Sequence, residues 1–131
     1  MGTTQLGRMQ FKIMQVLWDK GRANAREITD ALNADGPAVA HSTVQTLLRQ
    51  LEAKGAVGHE AEGRTFVFTP KLKEDRVKRS ATRDLLERVF GGDVGGLVAH
   101  LLKGERLSKS ELDELQRLID ERRKGRAGDK G

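Results

Sequence analysis

The chain has no cysteine and no tyrosine, only two prolines, and few aromatic residues: Trp18, Phe11, Phe66, Phe68 and Phe90. Without cysteine there is no disulfide, no thiolate metal site and no thiol nucleophile, a composition compatible with a reducing cytoplasm. Few aromatics argue against a binding mode that stacks a ligand on an aromatic platform. Long apolar runs are also missing. The longest, such as Leu97 to Ala99 and Phe66 to Phe68, fall far short of the roughly 20 residues that cross a bilayer. The start, Met1-Gly2-Thr3-Thr4-Gln5-Leu6, lacks the basic-then-apolar order of a signal peptide, and Leu6 stands where a myristoylation motif wants Ser or Thr. The expectation is a soluble, cytoplasmic protein with no membrane partner.

What is abundant is charge. Charged residues make up 33% of the 131 positions and hydrophobic residues 37%, against roughly 25% and 45–50% in an average globular domain. Amphipathic helices with solvated faces fit that balance, and the length excludes the large catalytic folds that carry a separate cofactor domain. The net charge is +5, which invites a polyanionic partner, but its distribution is uneven. Lys and Arg number 8 against 7 acids over residues 1–70, 11 against 11 over residues 71–121, and 5 against 1 over residues 122–131. The last stretch, with Arg122-Arg123-Lys124-Gly125-Arg126, reads as a basic, disordered tail.

Leu6, Met9, Ile13, Val16 and Leu17 recur at helical spacing, with Phe11, Met14 and Trp18 on a second face, which predicts a helix from about residue 6 to 20 stopped by Gly21. Asn24 and Glu27 form a capping-box pattern ahead of Ile28, Ala31 and Leu32, and Asp35-Gly36-Pro37 breaks this second helix. A third carries Val44, Leu47, Leu48 and Leu51 and ends at Lys54-Gly55. Two β-prone runs, Val57-Gly58-His59-Glu60 and Arg64-Thr65-Phe66-Val67-Phe68-Thr69, flank the turn Ala61-Glu62-Gly63 and predict a hairpin. Phe66 and Phe68 share a strand face, which is expected to cover the helices. Three further helices follow: Lys73 to Phe90, stopped by Gly91-Gly92-Asp93; Val94 to Leu102; and one opened by the Ser108/Glu111 capping-box pattern and carrying Leu112, Leu115, Leu118 and Ile119.

Catalytic and metal chemistry finds no support. His41, His59 and His100 are too far apart in sequence for a short-spaced zinc site. The Gly-dense stretch Gly91-Gly92-Asp93-Val94-Gly95-Gly96 follows a helix rather than a strand and lacks a Lys-Ser/Thr partner, so a turn fits better than a phosphate cradle. Glu111-Leu112-Asp113-Glu114 reads as a solvated helix face, and none of the serines, Ser42, Ser80, Ser108 and Ser110, sits in a nucleophile elbow. No enzyme, no metal and no cofactor are expected.

The order helix, helix, helix, hairpin is that of a winged helix-turn-helix, mainly α with a small β-hairpin, in which the third helix enters the major groove. At 100° per residue Val44, Leu47, Leu48 and Leu51 cluster on one side of that helix. Ser42, Thr46, Arg49 and Ala53 fall opposite, flanked by Thr43, Gln45 and Gln50. Arg suits guanine, Gln adenine and the Thr methyl thymine. A merely solvated face would more often carry Glu/Lys pairs. The rival reading, a winged-helix module that binds protein and not DNA, calls for an apolar or acidic face. In the hairpin Arg64 is placed to reach phosphate or simply to be solvated, whereas Glu60 and Glu62 must face away from a DNA backbone, or the wing contributes little.

Ile13-Met14-Gln15-Val16-Leu17-Trp18, Ala25-Arg26-Glu27-Ile28, the run Ser42 to Leu51, the wing, Lys73-Glu74-Asp75 and Phe90-Gly91-Gly92-Asp93 together resemble the penicillinase repressor (BlaI/MecI) family, in register over roughly residues 6–121. The resemblance implies a bacterial-type, homodimeric transcriptional repressor on a palindromic double-stranded operator. It implies a winged-helix domain at residues 1–70 and a helical dimerisation domain at 71–121, ahead of the 122–131 tail. The DNA-binding residues are then Ser42, Thr43, Gln45, Thr46, Arg49, Gln50 and Arg64. The apolar residues of the second half exceed what its helices can hide in one protomer, and Leu97, Leu101, Leu112, Leu115 and Ile119 are expected at the dimer interface. The family also admits an upstream sensor or protease as a partner. Three departures limit the carry-over. Ser42, Gln45 and Gln50 replace family Lys, Arg and Arg. The family's cleaved Asn-Phe pair falls at His100-Leu101. The absence of Cys excludes the copper sensing of Cys-x-Cys relatives.

Overall fold

The computed structural model describes residues 5–34 and 36–129, with side chains through Arg126. The chain start read for a leader, Asp35 of the expected break and Lys130-Gly131 of the tail lie outside the described residues. In order come α1 (Arg8–Lys20), β1 (Ala23–Asn24), α2 (Ala25–Ala34), α3 (His41–Ala53), β2 (Val57–Glu62), β3 (Thr65–Pro70), α4 (Glu74–Phe90), α5 (Val94–Gly104) and α6 (Lys109–Asp129). The chain is thus mainly helical with one small antiparallel sheet, ordered β1-β3-β2, and this is the winged-helix order read from the sequence.

Two compact units divide at Asp84/Leu85, inside α4. In the first, Ile13, Met14 and Leu17 of α1, Ile28 of α2, and Val44, Leu48 and Leu51 of α3 close a core with Ala23, Ala56, Val57 and Phe68. The apolar stripes face inward because their 3.6-residue period keeps each on one side of its helix. The start of α2 and the end of α3 are set by local chemistry. Asn24 Oδ1 accepts from Glu27 N–H and Glu27 Oε1 accepts from Asn24 N–H, both at 2.8 Å, the reciprocal box its spacing predicts. At the end of α3, Gly55 N–H reaches Glu52 O at 3.0 Å and Ala56 N–H reaches Leu51 O at 2.9 Å. That pair of bonds is a Schellman stop, and it needs the positive φ of +79° that Gly55 supplies.

One element was not expected. β1 is only two residues long and pairs Ala23 with Phe68 and Asn24 with Val67, so the hairpin is the larger part of a three-stranded sheet. A second correction concerns the hairpin face. Phe68 is buried, but Phe66, two residues nearer the turn on that face, is 55% exposed, because the hairpin extends past the helices it packs on. Trp18, which meets Phe11 edge to face at 5.8 Å, donates its indole N–H to Leu72 O at 2.9 Å. Lys71 N–H adds a bond to Ala56 O at 2.8 Å, so the lead-in to α4 is tied to the core.

In the second unit, Gly91 and Gly92 have positive φ, and Asp93 then caps α5 by accepting from Gly96 N–H at 3.0 Å. Gly96 is required there, since a Cβ would lie 2.5 Å from Asp93 Oδ2. Ser108 and Glu111 cap α6 reciprocally at 2.8 and 3.0 Å. Arg117 bonds Glu114 and Glu121 on that helix, and this hydrogen bond holds the Glu114 carboxyl below its usual range. The expected tail boundary at Glu121 does not appear: α6 runs on through Arg122-Arg123-Lys124-Gly125-Arg126 to Asp129. Arg and Lys are good helix formers, and a single Gly costs a helix only about 1 kcal/mol. Among the described residues no helix is long and apolar enough to cross a membrane, and no cluster of His, Asp or Glu is placed to hold a metal.

Candidate nucleic-acid interface

The face of α3 opposite its buried Val44, Leu48 and Leu51 is polar and open. Ser42, Thr43, Gln45, Thr46, Arg49 and Gln50 are all exposed. They do not form a single patch. The helical angle of 100° per residue puts Gln45 and Arg49 on the flank facing the hairpin and Thr43 and Gln50 on the other flank, with Ser42 and Thr46 along the crest between. Arg49 Nη2 donates to Thr46 Oγ1 at 3.3 Å, which lays the guanidinium along the crest.

Between α3 and the hairpin runs an open groove of about 660 Å³. Gln45, Arg49, Arg64, Thr65 and Phe66 line it, and so does Arg26 from the first turn of α2. Three arginines from three separate elements therefore converge on one groove. The sequence does not single out Arg26, because it sits inside a capping-box pattern that accounts for its neighbours without assigning it a role. Its placement depends on how α2 packs on α3, which no local pattern encodes.

The acids near this groove are answered. Glu52 accepts from His59 Nδ1 through both oxygens at 2.8 Å, and the His59 ring lies against Phe66 and Phe68, at 4.5 and 5.5 Å between centroids. This contact joins the last turn of α3 to the hairpin. His59 pairs with Phe68 across the strands, and Ala61 pairs with Phe66. The alternation of strand side chains then turns Glu60 and Glu62 to the opposite face, away from the groove. Glu62 is in addition paired with Arg22. The electrostatic objection to this wing is thereby removed.

Gln50 is tied to the interior side of its flank. Its Oε1 accepts from Gln10 Nε2 at 3.0 Å, and Gln10 Oε1 accepts from Lys54 Nζ at 2.9 Å. At the start of α3 the Thr29 hydroxyl donates to Ala25 O at 2.7 Å, leaving it to accept from His41 Nδ1 at 3.1 Å. Both contacts fix the angle at which α3 leaves the core, which a reading helix needs as much as its exposed side chains.

The expected dimer residues fall in the second unit. Leu97 is half-buried, while Leu101, Leu112, Leu115 and Ile119 are exposed, as are Val98, Leu102 and Leu118. So much exposed aliphatic surface on two helices is far from the scattered single residues of an ordinary protein surface.

Comparison with known proteins agrees with this arrangement. The sequence profile described as penicillinase repressor matches residues 6–121. The chain is 30% identical over 117 residues to the penicillinase repressor of Bacillus licheniformis, covering 89% of this chain and 91% of that one. It is 22% identical over 120 residues to the methicillin resistance regulatory protein MecI of Staphylococcus aureus, covering 92% of this chain and 97% of that one. Among solved structures, a MarR family protein from Bacillus stearothermophilus shares the fold, with a TM-score of 0.51, 17% identity, and coverage of 95% of this chain and 77% of that one.

Proposed function

The chain belongs to the penicillinase repressor family, a family of transcriptional repressors and not of enzymes, and we propose that it represses transcription as a homodimer on a palindromic DNA operator. Each protomer inserts α3 into a major groove. The observation that carries this reading is the groove between α3 and the hairpin, where Arg26, Arg49 and Arg64 converge beside Gln45 while the nearest acid, Glu52, is engaged by His59.

The residues divide by role. Arg49 and Gln45, with Ser42, Thr43 and Thr46, face base edges, because arginine and amide side chains match donor and acceptor patterns that differ between base pairs. Arg64 on the wing and Arg26 at the start of α2 hold phosphate, which fixes register without reading sequence. Gln50 acts as a positioning residue through Gln10. The C-terminal helices pair two protomers, and their twofold axis is matched by an inverted repeat in the DNA.

Arg49→Ala should lower affinity for the operator by about 1–3 kcal/mol and relax preference at one base pair. Arg64→Ala should weaken operator and unrelated duplexes alike. Binding isotherms against a set of single-base operator variants separate the two, and identical profiles for both substitutions would contradict this division into base reader and backbone clamp.

A further inference from the structure

We infer that α4 carries a second phosphate-binding surface, separate from the groove between α3 and the wing, that contacts duplex DNA outside the bases being read. This rests on the DNA-binding reading above and goes beyond it. Lys73, Arg76, Ser80 and Arg83 follow one another at intervals of three, four and three residues. Arg76, Ser80 and Arg83 fall within a sector of roughly 60° on α4, and Lys73 immediately precedes the helix. With Arg79 and Asp75 they line an open groove of about 500 Å³.

Two of its cations stand without a carboxylate. Asp75 is bonded to Arg79 at 2.7 Å and Glu74 to Lys78 at 2.7 Å, and among the described residues neither Lys73 nor Arg76 has an ion-pair partner.

Three observations favour duplex DNA over an acidic protein as the partner. The stripe lies wholly within the first unit, residues 1–84, the unit that holds α3 and the wing. It is fixed to that unit by the bonds of Trp18 and Lys71 and by the burial of Val77. Its length from Lys73 to Arg83 is about 15 Å at 1.5 Å per residue, which spans about four phosphates of one strand at 3.4 Å each. The count of charge changes accordingly. Residues 1–70 are nearly neutral, but residues 1–84 hold 14 Lys and Arg against 10 Asp and Glu, a net +4. Residues 71–84, which are Lys71 and Lys73 of the lead-in and the first turns of α4, hold 6 Lys and Arg against 3 Asp and Glu and so supply +3 of that charge.

The test is the double variant K73Q/R76Q in the full-length protein, compared with K12Q/K20Q, which removes the same charge from exposed positions of α1. Affinity is measured from 50 to 300 mM salt on two duplexes, one recovered by selection from a random pool and one of unrelated sequence. K73Q/R76Q should reduce the slope of log affinity against log salt by about 1.8 and weaken both duplexes by roughly ten- to thirtyfold near 0.15 M, while K12Q/K20Q changes either by less than threefold. An unchanged slope, or equal losses in the two double variants, overturns the proposal. Failure of the wild type to prefer any selected duplex would sink the operator reading instead, and the stripe would still be judged on the unrelated duplex.

Discussion

The Leu115→Lys, Ile119→Lys double variant is expected to sediment as a monomer and to bind operator at least about a hundredfold more weakly than the wild type. Leu112, Leu115 and Ile119 repeat at i, i+3 and i+7 on α6, the spacing of a helix seam that packs against another helix. They are 46%, 37% and 47% exposed in the single chain, so lysine at two of them does not disturb a folded core. It places charge where a partner helix would otherwise remove water from leucine. The loss in DNA binding follows from linkage: once one head is bound, the second binds at an effective concentration set by its tether, and losing that advantage typically costs 10²–10⁴ in affinity. Sedimentation and gel shift measure both halves of the prediction. An unchanged dimer mass with unchanged operator affinity would remove α6 from the interface.

Leu48→Ala should destabilise the first unit by about 2–5 kcal/mol in urea unfolding, the range for deleting a buried leucine side chain. Leu48 is 1% exposed and packs among the helix and strand residues that close the core. It also lies beneath the groove that Arg49 and Arg64 line, so the cavity it leaves loosens the seat of the reading helix. Small domains hold only about 5–15 kcal/mol in reserve, and the variant should lose operator binding on warming well before the wild type does. A shift under 1 kcal/mol would mean that α3 is seated by something other than this core.

These effects trace to residues whose roles the sequence expresses unequally. Where an element is set by neighbours within four positions, as in the Asn24/Glu27 and Ser108/Glu111 boxes or the Gly55 stop, its boundary was legible to within a residue or two. Where position depends on distant partners, it was not. β1 is a two-residue strand of Ala and Asn, neither favoured in strands, and exists because β3 offers it a ladder. Phe66 and Phe68 are indistinguishable in pattern; only the reach of the helices beneath them exposes one and buries the other. Gln50 looks like Gln45 on a helical wheel, yet Gln10, forty residues earlier, engages it. Arg26 enters the groove through the packing of α2, and the positive charge of residues 71–84 joins that of the first compact unit because that unit runs to Asp84. The glycine and the charge of the basic end suggest disorder, yet it continues α6.

The most direct measurement of the central claim is a hydroxyl-radical footprint of the full-length protein on DNA recovered by selection from a random pool. The account predicts two protected half-sites related by a twofold axis, their centres separated by one helical turn of about 10–10.5 base pairs or a multiple of it, with protection at both lost together in the Leu115→Lys, Ile119→Lys variant. Selection that enriches no sequence, or a single protected site without symmetry that survives that substitution, would contradict it.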